Sequence, residues 1–159
     1  MTERTSVMFF CLGNICRSPL AEGLFKYHLE ERGLIEGFHV ESSGTSSYHV
    51  GELPDPGSRR VIKARLGVDI SDQRSQQLTT YHIESFDYLV AMDRSNQRNA
   101  LQLGTAEILL LRDFERDISL RDSDVPDPWG GGGSMFDEVF DIVYRCTEEF
   151  LDHVLAQSK

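Results

Sequence analysis

A chain of 159 residues that is 40% hydrophobic, 9% aromatic and 26% charged can bury a core without staples. That excludes a disordered, collagen-like or disulfide-scaffold protein. Sixteen Lys and Arg against 26 Asp and Glu leave a net charge of −10, which repels nucleic acid and anionic membrane at long range, so neither is an expected partner. Any anion site must be built locally, from backbone N–H groups and one or two placed cations. No run of ~18 apolar residues marks a membrane helix. Three cysteines, an odd number, make no disulfide framework. Residues 1–6 read as a flexible polar start, and Val7 to Phe10 is too short for a secretory core, so a reducing cytoplasm is expected.

Val7 to Phe10 is a continuous apolar run that suits a strand buried on both faces. A loop from Cys11 to Arg17 follows. Ser18-Pro19 reads as the N-cap and first residue of a helix, with Leu20, Leu24, Phe25 and Leu29 at helical spacing and Gly33 at its end. Phe38 to Glu41 reads as a second strand and Ser42 to Pro56 as a turn-rich loop. A helix from about Ser58 to Leu66 ends at Gly67. Phe86 to Ala91 is a third strand, Ser95 to Leu103 a helix stopped by Gly104, and Ile108 to Leu111 a fourth strand. Arg112 to Gly133 is a long polar loop with a run of four glycines at its end, and loops of that length in compact domains are usually functional. In the last helix Ser134 and Asp137 form a capping box, and Phe136, Val139, Phe140, Val143, Phe150 and Val154 form the buried stripe. Strands alternating with helices predict one α/β domain over residues 1–159, a parallel sheet with helices on both faces. Ligands then bind beyond the carboxyl ends of the strands.

The loop after the first strand carries the chemistry. Cys11 and Arg17 are six positions apart. A loop of that length between a strand and a helix N-terminus can curl until the N–H groups of Leu12, Gly13, Asn14, Ile15 and Cys16 face one centre, reinforced by the helix dipole. Arg17 closes such a cradle with a bidentate grip on two phosphate oxygens. Cys11 stands at the strand end, and a cradle that stabilises phosphate also stabilises a thiolate. Gly13 and Asn14 tolerate the positive φ that a tight anion nest requires. Ser18 can donate a hydroxyl hydrogen bond to the leaving sulfur. Neither Cys16 nor Cys146 has an Arg six residues on.

Val7-Met8-Phe9-Phe10-Cys11-Leu12-Gly13-Asn14-Ile15-Cys16-Arg17-Ser18-Pro19 closely resembles the active-site segment of low-molecular-weight protein tyrosine phosphatases. The resemblance runs through Glu41-Ser42-Ser43-Gly44-Thr45, Val50-Gly51, Pro54-Asp55-Pro56, Ala91-Met92-Asp93, Asp127-Pro128 and the last helix. It implies a four-stranded parallel sheet, thiolate attack on a phosphomonoester, a cysteinyl-phosphate intermediate, and neither metal nor cofactor. The expected substrate is a tyrosine-phosphorylated protein, and a monomer is expected to act on it. A general acid must protonate the leaving phenolate. Of Asp122, Asp124 and Asp127, the last is favoured: Pro126 and Pro128 restrict its backbone, and Asp127-Pro128-Trp129 matches the family's Asp-Pro-aromatic motif. Trp129 and Tyr48 would wall the pocket. The resemblance implies that Ser42 supports the loop. Asp93 either positions the cradle through Arg17 or is the ordinary acidic start of a helix. The family's second cysteine falls on Cys16, placed to resolve an oxidised Cys11 as a disulfide.

The chain departs from the family at Gln73-Arg74-Ser75-Gln76-Gln77, where members often carry His-Arg-Ala-Arg-Gln. Gln73 is the residue whose amide would replace the supporting histidine. Trp129-Gly130 stands where vertebrate members have two tyrosines. His28, His39, His49, His82 and His153 show no metal-ligand spacing and read as solvated or packing residues. Arsenate reduction on the same fold needs redox cysteines between Leu78 and Tyr88, and there are none. Arginine phosphatases tend to carry Thr at the position of Ile15. A non-catalytic phosphate-binding module would need neither thiol nor acid.

Overall fold

In the computed structural model, which describes residues 3–157, four parallel strands form one sheet in the order β2-β1-β3-β4. Strand β1 is Thr5–Cys11, β2 Phe38–Gly44, β3 Tyr88–Ala91 and β4 Leu109–Leu110. The sheet begins two residues inside the segment expected to be flexible: Thr5 and Ser6 pair with Phe38 and His39. The apolar run of β1 alternates between two cores. Val7 and Phe9 face one side, with α1 (Arg17–Glu31), α2 (Pro56–Leu66) and α5 (Gly133–Gln157). Met8 and Phe10 face the other, with α3 (Thr80–Ser85) and α4 (Arg94–Leu101). A central parallel strand covered on both faces has no polar side to show, which is why the run is unbroken.

Order 2-1-3-4 puts the reversal of winding between β1 and β3, and the crevice at such a switch point is where α/β sheets bind ligands. Register brings the carboxyl ends together: Cys11 pairs with Gly44, and Phe10 with Ala91.

Helix α1 ends as its sequence requires. Gly33 has φ +68, and Leu34 N–H donates to Leu29 O while Gly33 N–H donates to Glu30 O, the paired closure of a left-handed C-cap. Its start differs from the reading. The helix begins at Arg17 with Cys16 as a cap lacking a side-chain bond; Ser18 lies inside the first turn, its hydroxyl taken by the loop. Likewise α5 begins at Gly133, before Ser134, and the Asp137 carboxylate turns out to Arg65 of α2. Helix α2 starts earlier than expected, because Asp55 caps it through Gly57 N–H and Pro56 fills its first position.

Candidate active site

Five carbonyls of the loop between β1 and α1 are held from outside. Cys11 O accepts from Thr45 N–H, Leu12 O from Ser46 N–H, and Ile15 O from Asp55 N–H. Gly13 O accepts from the Ser75 hydroxyl at 3.0 Å and Cys16 O from the Ser58 hydroxyl at 2.9 Å. In a trans peptide the N–H points opposite to the carbonyl of the same unit. Turning these five carbonyls outward therefore turns the N–H groups of Leu12, Gly13, Asn14, Cys16 and Arg17 toward the inside of the curl. That is an anion nest at a helix N-terminus.

Asn14 makes the curl possible. It adopts φ +56, whereas Gly13 stays at negative φ, so of the two residues expected to tolerate the left-handed region only Asn14 uses it. Its buried side chain braces three elements. Asn14 Nδ2 donates to Ser18 Oγ at 2.8 Å and to Ser42 Oγ at 3.0 Å, and its Oδ1 accepts from Gln76 N–H at 3.0 Å. Ser42 in turn donates to the buried carboxylate of Glu22 at 2.7 Å, which Lys26 reaches from the other side. Gln73 stands apart from this network: its amide donates to Pro19 O at 3.0 Å. The bracing from that segment comes from Ser75 and Gln76. Gln76 also fastens Glu41 and the Ser42 carbonyl through its amide.

Cys11 Sγ lies 3.1 Å from Ser18 Oγ. Arg17, 3% exposed, is held by one arm: Nη1 donates to Asp93 Oδ2 at 2.7 Å and to Val125 O at 2.9 Å. Asp93 does both things that the sequence left open, since its other oxygen caps α4 through Asn96 N–H at 2.7 Å. Burial works against the Arg17 charge, but Cys11 and the Asp93 and Asp127 carboxylates raise its pKa above the ordinary arginine value. Its Nη2 is 3.8 Å from Asp127 Oδ2, and its buried Nε has no protein partner among the described residues.

A cleft of about 180 Å³ is lined by Cys11, Leu12, Gly13, Ile15, Cys16, Arg17, Tyr48, His49, Asp127 and Trp129. Asn14 and Ser18 stand behind this wall. Of the three candidate acids, Asp127 alone faces the cleft. Asp124 accepts from Arg94 N–H and Asp122 pairs with the Arg94 guanidinium. Asp127 Oδ1 accepts from Trp129 N–H at 3.1 Å, which leaves Oδ2 toward Arg17. Tyr48 and Trp129 form exposed walls, at 78% and 63% of their surface. His49, read as a solvated or packing residue, lines the cleft beside Gly13, with Nδ1 3.0 Å from Glu52. Burial raises the pKa of the Cys16 thiol, with Asp55 and Cys11 adding to the shift. Among the described residues no group of three or more His, Cys, Asp or Glu is placed to hold a metal ion, and no helix is long and apolar enough to cross a membrane.

Two residues whose roles are not shown by the sequence matter here. Glu22 is buried on α1, where it accepts the Ser42 hydroxyl. Gly44 reads as a turn residue, yet a Cβ on it would lie 2.7 Å from Leu12 O and 3.1 Å from Asn14 N.

The profile of the family described as low molecular weight phosphotyrosine protein phosphatase matches residues 6–159. Low molecular weight protein-tyrosine phosphatase A of Mycobacterium tuberculosis is 40% identical over 163 residues, covering 99% of this chain and 98% of that one. The low molecular weight phosphotyrosine protein phosphatase of Saccharomyces cerevisiae is 35% identical over 153 residues, 93% and 94% of the two chains. The crystal structure of a protein tyrosine phosphatase from Entamoeba histolytica superposes with a TM-score of 0.89 at 33% identity, over 98% of this chain and 99% of that one.

Proposed function

The chain belongs to the low molecular weight phosphotyrosine protein phosphatase family and is a phosphotyrosine phosphatase, and from that premise we propose how its residues carry the reaction. The phosphoryl oxygens sit on the N–H groups of the loop and on the Nε/Nη2 edge of Arg17. Cys11 Sγ attacks phosphorus in line with the phenolic oxygen. As the P–O bond breaks, Asp127 gives its proton to the leaving phenolate. The product is phosphocysteine. Asp127, now a carboxylate, takes a proton from the water that attacks phosphorus, and the sulfur leaves as a thiolate that accepts a hydrogen bond from Ser18. Tyr48 and Trp129 flank the aryl ring.

The single observation that carries this reading is the unpartnered Nε of Arg17. A buried N–H without a partner costs roughly 1–3 kcal/mol, and this one shares a cleft with a cysteine inside an anion nest. A phosphoryl group, which offers two oxygens to the planar guanidinium, recovers that cost. The absence of a second thiol between Leu78 and Tyr88 and the presence of Ile15 keep phosphotyrosine ahead of arsenate and phosphoarginine. The substrate is a tyrosine-phosphorylated protein met by a monomer in a reducing cytoplasm. Cys16, lining the same cleft, condenses with a peroxide-generated Cys11 sulfenic acid to a disulfide, releasing water.

The test is leaving-group dependence. Asp127→Ala should lower kcat/KM for phenyl phosphate by ~10²–10⁴-fold and for p-nitrophenyl phosphate far less, while Cys11→Ser abolishes both. Equal losses on the two esters in Asp127→Ala would move the acid elsewhere.

A further inference from the structure

One ionised carboxylate in the core takes no part in the chemistry above. Glu115 is 1% exposed. Burial pushes its pKa up, but hydrogen bonds from Arg145 and Arg112 outweigh that and hold it below the ordinary value. Arg145 of α5 grips it with two bonds, Nε to Oε1 at 2.7 Å and Nη2 to Oε2 at 3.0 Å. Arg112 donates from Nε to Oε2 at 2.9 Å. The Glu115 carbonyl accepts from Arg121 Nε at 2.7 Å. Three guanidinium groups converge on one residue inside the long loop that leads to Asp127.

What this hub holds lies directly on the path to the acid. The other arm of Arg112, Nη1, donates to the Asp124 carbonyl at 3.1 Å. The next residue, Val125, gives its N–H to Met92 O at 2.9 Å and its carbonyl to Arg17 Nη1 at 2.9 Å. Pro126 then fixes φ, and Asp127 follows. The peptide units of Asp124 and Val125 thus set where Asp127 stands relative to Arg17, and the Arg112 fork holds the first of them. We propose that Glu115 is a positioning residue for the general acid, acting through Arg112 and the Asp124 carbonyl; this rests on Asp127 being that acid. The charge is needed because the two oxygens of Glu115 accept three side-chain bonds from two guanidinium groups. An amide offers one acceptor and turns a donor toward a donor. Glu115→Gln must therefore break at least one of these bonds, and loss of the Arg112 bond releases the Asp124 carbonyl.

The experiment compares Glu115→Gln and Arg112→Lys with the unsubstituted enzyme on p-nitrophenyl phosphate and phenyl phosphate, with thermal unfolding in parallel. The ratio of kcat/KM for the nitrophenyl to the phenyl ester should rise about tenfold, part of the ~10²–10⁴ a positioned acid supplies. In an Asp127→Ala background neither substitution should raise it further. Arg112→Lys keeps a cation beside Glu115 and loses the arm to Asp124, so it carries the test even where Glu115→Gln fails to fold. A lowered unfolding temperature with both esters slowed alike would overturn the proposal and leave Glu115 a stability residue. If Asp127→Ala leaves the ratio unchanged, the acid assignment has failed. If Asp127→Ala raises the ratio and the other two do not, the positioning role alone has failed.

Discussion

Gly44 shows how little room a cradle of backbone N–H groups has. The atoms a Cβ would meet there are backbone: Leu12 O at 2.7 Å, the Gly13 carbonyl carbon at 3.0 Å and Asn14 N at 3.1 Å. They cannot swing aside as a side chain would, so Gly44→Ala has to push the nest itself. A misplacement near 1 Å costs on the order of 10²-fold in rate. Gly44→Ala should therefore lower kcat/KM on p-nitrophenyl phosphate by roughly 10–100-fold and weaken inhibition by inorganic phosphate in parallel. A loss below about twofold would mean that the loop yields freely to a displacement that should be costly. At this scale Cys11 and Arg17 can be picked out by residue type and spacing, and Asp127 by its flanking prolines and the resemblance; the structure places all three on one cleft. Gly44, Glu22 and His49 cannot be picked out so, since what they do depends on register and on contacts between distant segments. Gln73 was the wrong residue for the same reason. A glutamine's reach cannot be read from its position, and here Ser75 and Gln76 rather than Gln73 lie against the nest.

Secondary structure was legible where packing and local signals agree. The apolar run of β1, the Gly33 and Gly67 stops and the stripe of α5 all stand as read. Helix α3 was missed because six residues show no period, and its capping box uses His82 where the usual signature has Glu or Gln. Strand β4 shrinks to two residues as Leu111 enters a 3₁₀ turn. Ser18 and Ser134 looked like caps by type, but a serine hydroxyl goes to the partner that most needs it, and for Ser18 that is the nest. The elements are joined through an aromatic cluster. Phe150 of α5 is fully buried and meets Phe9 of β1, Phe25 of α1, Tyr88 of β3 and Phe114, with ring centroids between 5.2 and 6.0 Å. Phe150→Ala should cost about 3–5 kcal/mol, a large share of the ~5–15 kcal/mol that holds a domain. Urea unfolding should show a lower midpoint with the slope unchanged. None of these rings lines the cleft, so the folded fraction should keep its kcat/KM. A loss below about 1 kcal/mol would mean that the neighbouring rings close the hole, against the usual cavity cost.

Over the whole molecule the buried titratable groups define a pH window for stability. His28 is buried beside Tyr144 O and Thr147 Oγ1, each 3.1 Å from its Nε2, and burial lowers its pKa from 6.5. As the pH falls below 6.5 the unfolded chain binds a proton there that the folded chain does not, so stability declines. Glu115 and Glu41 are held below 4.5 although burial alone would raise them, because Arg145 and Arg112 bond the first and Gln76 and His39 the second. Their contribution is present in full above 4.5 and is lost as the pH falls through their folded values. The alkaline side runs the other way. Burial pushes the Cys146 thiol from 9.0 up to about 12, and burial raises Cys16 as well. Their contribution is full below 9.0 and is lost as the pH rises above it, because the unfolded thiols ionise first. Each proton of difference tilts stability by about 1.4 kcal/mol per pH unit. Unfolding midpoints measured across pH should thus form a plateau between 6.5 and 9.0, with a shallow acid limb below 6.5 that steepens below 4.5. His28→Gln, whose amide can still reach the Tyr144 carbonyl, should cut the shallow limb back to the share of His82, which burial also lowers from 6.5, and leave the steep limb. Cys146→Ala should lower the midpoint at every pH through its cavity but flatten the fall above 9.0. An acid limb unchanged in His28→Gln would show that His28 takes no part in the acid edge; an alkaline fall unchanged in Cys146→Ala would mean that the buried thiol ionises in the folded chain as readily as in the unfolded one.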